Sequence, residues 1–407
     1  MDSDFKAFLR AKCESYLNKL CNEITERTVG TDGNVKATRF FRDELKALGF
    51  DIDTLEFEAM DWIDGGAKMS CENNHFDVFV SPYSSGCDLT AELTEASTIE
   101  KLEKLDCTDK ILLLHGDLAK EQLMPKNFVF YNPDEHKRII SRLENCGAKA
   151  LVCATGHNGA FAGGVYPFPL IEDGDFDVPS VYMTDKEGEK LKKFIGKQAT
   201  LHSISKRLTG NGYNVSGKTG KCDSERVVIS AHIDAKKGSP GAIDNATGVA
   251  VLILLAQILQ KKPIKKGVEL VAFNGEDYYA VSGQMAYINA NQGNLENVIL
   301  NVNIDGAGYK TGKTAFSFFN LPSQMQAAVS QVLKNNPEIT EGIQWVQGDH
   351  SIFLQYGIPA IAVSSEWFIN NIEQQDITHT PKDNLSIVDF NKVVDSAAAI
   401  WDFISRL

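Results

Sequence analysis

The sequence RVVISAHIDAKKGSPGAIDNATGVAVLILLAQIL, residues 226–259, contains the features that decide the fold of this chain. It begins with an apolar run, residues 226–231, which has the length of a buried strand. A polar loop with two glycines follows, and an apolar run of helix length, residues 247–259, ends the stretch. Strand, loop and helix in this order are typical of a sheet whose strands are parallel and covered by helices.

The same alternation continues to the end of the chain. We expect strands at residues 268–273, 298–304 and 358–363, and a closing helix whose apolar face includes Val388, Phe390, Val393, Val394 and Ile400. Near the start, apolar residues at helical spacing predict a helix that ends at Gly49, followed by an alternating strand at 50–57. The prediction is an α/β fold with a mostly parallel, twisted central sheet and helices on both faces.

The sequence pattern is different between residues 61 and 200. Short apolar runs predict strands at 110–114, 147–153 and 178–183, with helices at 139–145 and 186–195. These elements are enough for a small, separate α/β unit. The other interpretation is that they are more of one large α/β fold.

Composition limits the classes of protein that this chain can belong to. Its 407 residues are 43% apolar, which predicts a folded, soluble protein of two or three domains. A net charge of −13 argues against nucleic acid or an anionic membrane surface as main partner. The opening residues do not resemble an export signal, and the eight cysteines include no close CxxC pair. We therefore expect a cytoplasmic protein with reduced thiols, and the oligomeric state stays open.

Side chains that bind metals follow each predicted strand of the C-terminal half. In chain order they are His232, Asp234, Asp244, Glu276, Asp277, Asp305 and His379. Each of them has an ordinary explanation by itself; Asp244, for example, could simply cap the helix that follows it. The carboxyl ends of parallel strands meet at one edge of a sheet, where ligands usually bind. So many carboxylates at one edge would repel each other unless a divalent cation were bound, and imidazole with carboxylate suits catalytic Zn²⁺.

Together these motifs resemble the M28 family of di-zinc exopeptidases. The resemblance rests on His232-x-Asp234, on Asp-Asn-Ala-Thr-Gly at 244–248, on Glu276-Asp277, on Asp305 and on His-Thr-Pro-x-Asp-Asn at 379–384. Residues 27–34, Arg-x-x-Gly-Thr-x-Gly-Asn, are similar to the opening of that family. Residues 61–200 resemble the protease-associated (PA) domain that several members carry as an insertion. The implied organisation is a zinc peptidase domain, residues 1–60 and 201–407, interrupted by a PA-like domain, residues 61–200.

The resemblance also implies roles at the metal site. Asp244 would bridge two zinc ions, with His232 and Asp305 completing one set of ligands and Asp277 and His379 completing the other. The implied content is two zinc ions per chain, with a peptide as substrate.

Further roles follow from the same resemblance. Glu276 would be the general base, and Asp234 would hold the ring of His232 by accepting its second N–H. The peptide bond between Asp244 and Asn245 is often cis in this family. His350 would either donate a hydrogen bond to the oxyanion or the substrate, or only organise its own loop.

The favoured function is an aminopeptidase that removes N-terminal residues from peptides. A carboxypeptidase or dipeptidase would need a cation aimed at a C-terminal carboxylate, for which Lys310 and Lys313 are candidates. A glutaminyl cyclase-like acyltransferase with one zinc ion would use fewer ligands, and a catalytically silent binding protein would have lost ligands or base. Residues 278–283 depart from the family's usual Gly-Ser pattern, so we expect a substrate pocket different from that of familiar members.

Overall fold

The strand, loop and helix expected between residues 226 and 259 are all present in the computed structural model of the chain, which describes residues 2–157, 162–222 and 224–407. The chain forms two units. Unit 1 consists of Met1–Ala59 and Asn211–Leu407, and unit 2 consists of Met60–Gly210. The assignment of residues 61–200 to a PA-like domain stays a prediction.

The helices and strands are numbered in chain order. The α-helices are α1 Ser3–Asn18, α2 Asp32–Ala47, α3 Ile99–Lys104, α4 Asp134–Asn145, α5 Asp185–Leu191, α6 Thr247–Lys261, α7 Ser282–Ala290, α8 Ser323–Asn335, α9 His350–Gln355, α10 Glu366–Asn371 and α11 Phe390–Ile404. The strands are β1 Asp51–Cys71, β2 Asn74–Phe76, β3 Phe79–Val80, β4 Cys87–Ala96, β5 Ile111–Leu114, β6 Ala150–Thr155, β7 Ser180–Thr184, β8 Gln198–Thr219, β9 Arg226–His232, β10 Gly267–Phe273, β11 Val298–Ile304, β12 Thr314–Phe319, β13 Ile339–Glu341 and β14 Ala360–Ser365.

The sheet of unit 1 has the strand order β13-β12-β14-β11-β9-β10-β8. The four central strands β14, β11, β9 and β10 run parallel to one another, and β8 and β12 join them antiparallel. Every residue of β9 and of β10 is buried, as expected for strands covered on both faces. The prediction of a mostly parallel central sheet in an α/β fold is confirmed.

Helix α6 is the core helix of unit 1. Residues 247–259 are all buried, and the helix contacts α1, α2 and α11 as well as β9. The stretch Ala242–Lys261 has the length and composition of a membrane span, but 89% of its most apolar window is buried inside the protein. A helix that is apolar on all sides belongs in a core, and here it joins the sheet to the outer helices.

Unit 2 contains its own parallel strands. Strands β4, β5, β6 and β7 pair parallel in that order, and β3 pairs antiparallel with β7. Successive residues of β5 point to opposite faces: Leu112 and Leu114 belong to one core cluster, Ile111 and Leu113 to the other. The strands and helices expected in this region are present with shifted ends. The long strand β8 was not expected, because Gly, Asn and Lys interrupt its apolar pattern.

Replacement of Leu254 in α6 by alanine tests how much the core depends on this helix. Leu254 is fully buried, so Leu254→Ala should lower the free energy of unfolding of unit 1 by about 2–5 kcal/mol. Urea unfolding followed by tryptophan fluorescence measures this, since three of the four tryptophans lie in unit 1. The matched control is Leu333→Ala on α8, where the side chain is only partly buried. An equal loss in both variants would contradict the assignment of α6 as the core helix.

Candidate metal centre and active site

Four neighbouring strands bring the metal-binding side chains to one edge of the sheet. His232 is the last residue of β9, and Asp305 directly follows β11, where its N–H still donates to the Val363 carbonyl of β14. Glu276 and Asp277 follow β10. Asp244 lies in the turn that opens α6, and His379 lies in the loop after α10.

The carboxylate of Asp244 lies between two groups of side chains. Its Oδ1 is 3.1 Å from Nε2 of His232, which is also 3.7 Å from Oδ1 of Asp305. Its Oδ2 is 3.1 Å from Nε2 of His379, which is 3.0 Å from Oδ1 of Asp277. The structure therefore brings together all five residues of the expected ligand set.

The donor atoms of this cluster fit metal ions. Atoms of His232, Asp244 and Asp277 lie within 4.8 Å of one another. Both ring nitrogens of His232 and Oδ2 of Asp277 are buried without a hydrogen-bond partner, an arrangement that costs free energy unless something binds them. The donor atoms are 3.0–3.7 Å apart. Two ligand atoms on one tetrahedral zinc ion are about 3.3 Å apart when the bonds have their usual length, so these separations suit zinc. Nitrogen and oxygen donors without a thiolate also suit catalytic zinc.

The electrostatics of the cluster point the same way. Burial alone would lower the pKa of His232, but the carboxylates of Asp234, Asp244 and Asp305 outweigh it and raise that pKa well above its usual value. Burial, with neighbouring carboxylates, raises the pKa of Asp305 and of Glu276. The raised pKa values favour the protonated forms of these groups, and metal binding to such a site would release protons.

Asp234 shapes the loop that carries Glu276 and Asp277. Its Oδ1 accepts the Gly275 N–H at 2.9 Å and its Oδ2 accepts the Asp277 N–H at 3.0 Å. The expected contact with His232 is longer than a hydrogen bond, because Oδ1 lies 3.6 Å from Nδ1 of that ring. In this structure the two backbone N–H groups are the hydrogen-bonding partners of Asp234, which fixes the positions of the two acidic residues that follow β10.

Asp383 supports the turn at Asp244, a role that sequence reasoning missed. Its two carboxylate oxygens accept the N–H of Ile243 at 2.7 Å and of Asp244 at 3.0 Å, and the side chain is fully buried. Burial, with the charge of Asp244, raises the pKa of Asp383 to about 7. The peptide bond between Asp244 and Asn245 is cis, as the resemblance implied. The signal was available in the sequence, since Asp383 belongs to the motif at 379–384.

The N-terminal motif at 27–34 holds the loops of the site through hydrogen bonds. The buried guanidinium of Arg27 donates to the carbonyls of Leu20, Ile233, Pro240 and Gly241 at 2.7–3.0 Å. Because three of these carbonyls belong to residues 233–241, the rigid guanidinium holds the loop between β9 and the turn at 242–246.

A reciprocal amide pair joins this motif to the acidic loop. The side chains of Asn34 and Asn274 donate to each other at 2.7 Å, and both are fully buried. Asn274 immediately precedes the residues that Asp234 holds. The motif therefore positions the site through backbone and amide contacts, a function that its sequence alone did not indicate.

The sequence leaves two roles open for His350, and donation of a hydrogen bond to an oxyanion or to the substrate would need a free ring N–H. Burial lowers the pKa of this histidine to about 4, so the ring is neutral at pH 7. Its Nε2 lies 2.9 Å from the carbonyl oxygen of Trp345, which can only accept, so Nε2 carries the ring proton. The remaining nitrogen, Nδ1, is then an acceptor and is buried without a partner. The other interpretation, that His350 organises its loop, agrees with this contact.

The two lysines that could bind a C-terminal carboxylate are engaged with backbone. The ammonium group of Lys310 donates to the Ser386 carbonyl at 3.4 Å, and that of Lys313 donates to the Pro337 carbonyl at 2.7 Å. Tyr278 and Tyr279, in the loop that departs from the family pattern, are both buried, with rings 4.7 Å apart.

Residues 214–404 match the sequence model of peptidase family M28. They include every residue of the donor cluster described above. Residues 214–404 are a peptidase family M28 domain. With this M28 domain the chain is a hydrolase of peptide bonds, and the resemblance to the M28 family is confirmed.

Relatives of the M28 domain extend over nearly the whole chain. Aminopeptidase YwaD of Bacillus subtilis is 21% identical, over 96% of this chain and 84% of that protein. The structure of the aminopeptidase from Aneurinibacillus sp. strain AM-1 has a TM-score of 0.74 at 20% identity and covers 97% of this chain and 93% of that one. BSAP, a zinc aminopeptidase from Bacillus subtilis, has a TM-score of 0.73 at 19% identity, with 97% and 94% covered. At these identities the structures show a shared fold.

The buried, neutral state of His350 predicts a dependence of stability on pH. The folded-state pKa of about 4 lies below the unfolded value near 6.5, so the unfolded chain binds the extra proton between these values. The stability that depends on the neutral His350 ring is fully present above pH 6.5. As the pH falls toward 4 it is lost, and the free energy of unfolding decreases by up to about 3 kcal/mol.

Urea unfolding of the metal-depleted protein at pH 7 and pH 5 measures this effect. The His350→Gln variant should lose less stability than the parent over the same interval. His75→Gln is the control, because that histidine is exposed. Equal pH dependence in the parent protein and His350→Gln would show that His350 is not held neutral by burial.

Proposed function

We propose that this peptide-bond hydrolase is a zinc aminopeptidase that uses two zinc ions to remove N-terminal residues from peptides. The observation that carries the proposal is the Asp244 carboxylate, whose two oxygens face two different histidines at 3.1 Å. One carboxylate placed in this way can serve two cations at once. Relatives across nearly the full chain are named aminopeptidases, and one of them is a zinc aminopeptidase, which supports the same reading.

Each zinc ion would have its own pair of further ligands. His232 and Asp305 would hold one ion, and Asp277 and His379 would hold the other, with Asp244 shared. When bound, zinc lowers the pKa of water toward neutrality and polarises a peptide carbonyl. The backbone N–H of Asp277 donates to Asp234, and this hydrogen bond holds Asp277 in place as a ligand.

Glu276 would move the proton. Its carboxylate accepts a proton from the attacking water and then donates it to the leaving amine, which would otherwise depart as an unstable anion. Burial raises the pKa of this group, so the protonated form is more persistent than that of an exposed carboxylate. Because Glu276 lies between Gly275 and Asp277, the two Asp234 hydrogen bonds hold its backbone on both sides.

The competing functions have less support in the structure. A carboxypeptidase would need a cation free to bind a carboxylate, whereas Lys310 and Lys313 both donate to backbone carbonyls. A cyclase-like acyltransferase would use fewer ligands than the five that converge here. A silent binding protein is disfavoured by the complete donor cluster and by the retained Glu276.

Glu276→Gln tests the general base. The variant keeps the shape of the side chain but cannot accept a proton, so we expect turnover to fall at least about 100-fold while zinc stays bound. The measurement uses aminoacyl substrates with free and with blocked α-amines, together with metal analysis of the same samples. Only free amines should be cleaved by the parent enzyme. Glu296→Gln, an exposed change on the same unit, should behave like the parent. Full activity of Glu276→Gln would exclude this mechanism.

Asp244→Ala tests the shared ligand. The parent protein, purified and then equilibrated with zinc, should bind close to two ions per chain, and removal by a chelator should abolish activity. Asp244→Ala removes a ligand from both ions and should lower the zinc content below one. Asp134→Ala in unit 2 is the control, since that side chain is almost fully exposed. Two tightly bound ions in Asp244→Ala would show that this carboxylate is not shared.

A further inference from the structure

The side chain of Gln375 holds the loop that leads to His379. Its Oε1 accepts the backbone N–H of Ile377 at 2.8 Å and that of Thr378 at 3.0 Å, and its Nε2 donates to Oγ1 of Thr378 at 2.6 Å. The two N–H groups identify the atom that faces them as the amide oxygen, because only an acceptor can face two donors. Gln375 is 3% exposed, so water does not compete for these hydrogen bonds.

The turn that contains His379 is closed directly after these contacts. Thr380 donates to the Ile377 carbonyl through its N–H at 3.2 Å and through its Oγ1 at 2.6 Å, and its own carbonyl accepts from Oγ of Ser239 at 3.2 Å. Within this turn the backbone of His379 has a φ of 62°, in the left-handed region that residues other than glycine seldom adopt. Such a conformation persists only where surrounding contacts hold it.

The other histidine of the site is held in a different way. His232 is the last residue of β9, and Asp305, whose carboxylate lies beside that ring, directly follows β11. Strand pairing positions both of them, so a change in the loop before His379 should leave them in place. Nε2 of His379, in contrast, lies 3.1 Å from Oδ2 of Asp244 and 3.0 Å from Oδ1 of Asp277, and these distances depend on the shape of its loop.

We propose that Gln375 is a positioning residue for His379, and that it sets the affinity of the zinc ion held by Asp277 and His379. This inference rests on the two-zinc site proposed above. Removing a group that orients a metal ligand typically lowers the metal affinity by about 10- to 100-fold. Loss of the Gln375 hydrogen bonds should therefore weaken one ion, whereas the ion held by His232 and Asp305 should keep its affinity.

A zinc titration of the metal-free full chain, with a chromophoric chelator as competitor, measures both affinities. Gln375→Met keeps the length of the side chain but makes none of the three hydrogen bonds. We expect two ions per parent chain, and in the variant one ion bound as in the parent and the other about 10- to 100-fold more weakly. Gln374→Met is the matched control, because that neighbouring glutamine is exposed, and it should bind both ions like the parent.

Double variants show which ion is affected. Asp305→Ala removes a ligand of the first ion, so the ion at Asp277 and His379 becomes the tighter one. Adding Gln375→Met to this background should weaken that ion by about 10- to 100-fold. Adding it to Asp277→Ala, where the tighter ion is the one that His232 holds, should leave the affinity unchanged. An equal loss in both backgrounds would mean a general effect on the fold and would overturn the proposal.

Two more variants separate the hydrogen bonds from the packing of the side chain. The carboxylate of Gln375→Glu can still accept the N–H groups of Ile377 and Thr378, so the affected ion should bind more tightly than in Gln375→Met. Gln375→Ala should weaken the same ion as Gln375→Met does, and it serves if the methionine variant fails to fold. Equal affinities in the glutamate and methionine variants would contradict the role of the hydrogen bonds.

Failure of this inference is distinct from failure of the proposed function. Two ions bound with parent affinity in Gln375→Met would overturn the role of Gln375 and leave the two-zinc proposal intact. A parent chain that binds no second ion would contradict the two-zinc proposal, and the inference with it.

Discussion

The structure of unit 1 depends on one electrostatic constraint, the placement of three carboxylates and two imidazoles against each other at one sheet edge. The Asp244 carboxylate lies at its centre, 3.1 Å from each of the two histidines. A buried cluster of this kind is stable only if protons or cations offset the negative charge. Despite its burial, His232 has a raised pKa because carboxylates surround it, and burial raises the pKa of Asp305. Both ring nitrogens of His232 are buried without a hydrogen-bond partner, which costs free energy.

Several hydrogen bonds hold backbone rather than side chains, and they explain how such a cluster is assembled. Asp234 accepts two N–H groups of the loop after β10, and Asp383 accepts two from the turn before α6. Arg27 donates to four carbonyls, and the Asn34–Asn274 pair ties α2 to the acidic loop. Loops that carry catalytic groups are precise only where surrounding contacts fix them, and here buried charges and amides provide those contacts.

The order of the residues is enough to predict the elements of the fold and the members of the donor cluster. Apolar runs located β9, β10, β11 and α6 within a few residues, because buried strands and core helices are mostly apolar along their length. The residues at or after the carboxyl ends of β9, β10, β11 and β14 include every member of the cluster, because parallel strands end at a common edge. Which groups are in contact follows from the folded structure and not from the order of the residues. It shows that the Asp234 carboxylate accepts from backbone N–H groups, that the His350 ring N–H donates to the Trp345 carbonyl, and that Asp383 and Arg27 hold the loops of the site. Hydrogen-bond partners depend on distances of a few tenths of an ångström between segments that are remote in sequence, and residue order does not contain those distances.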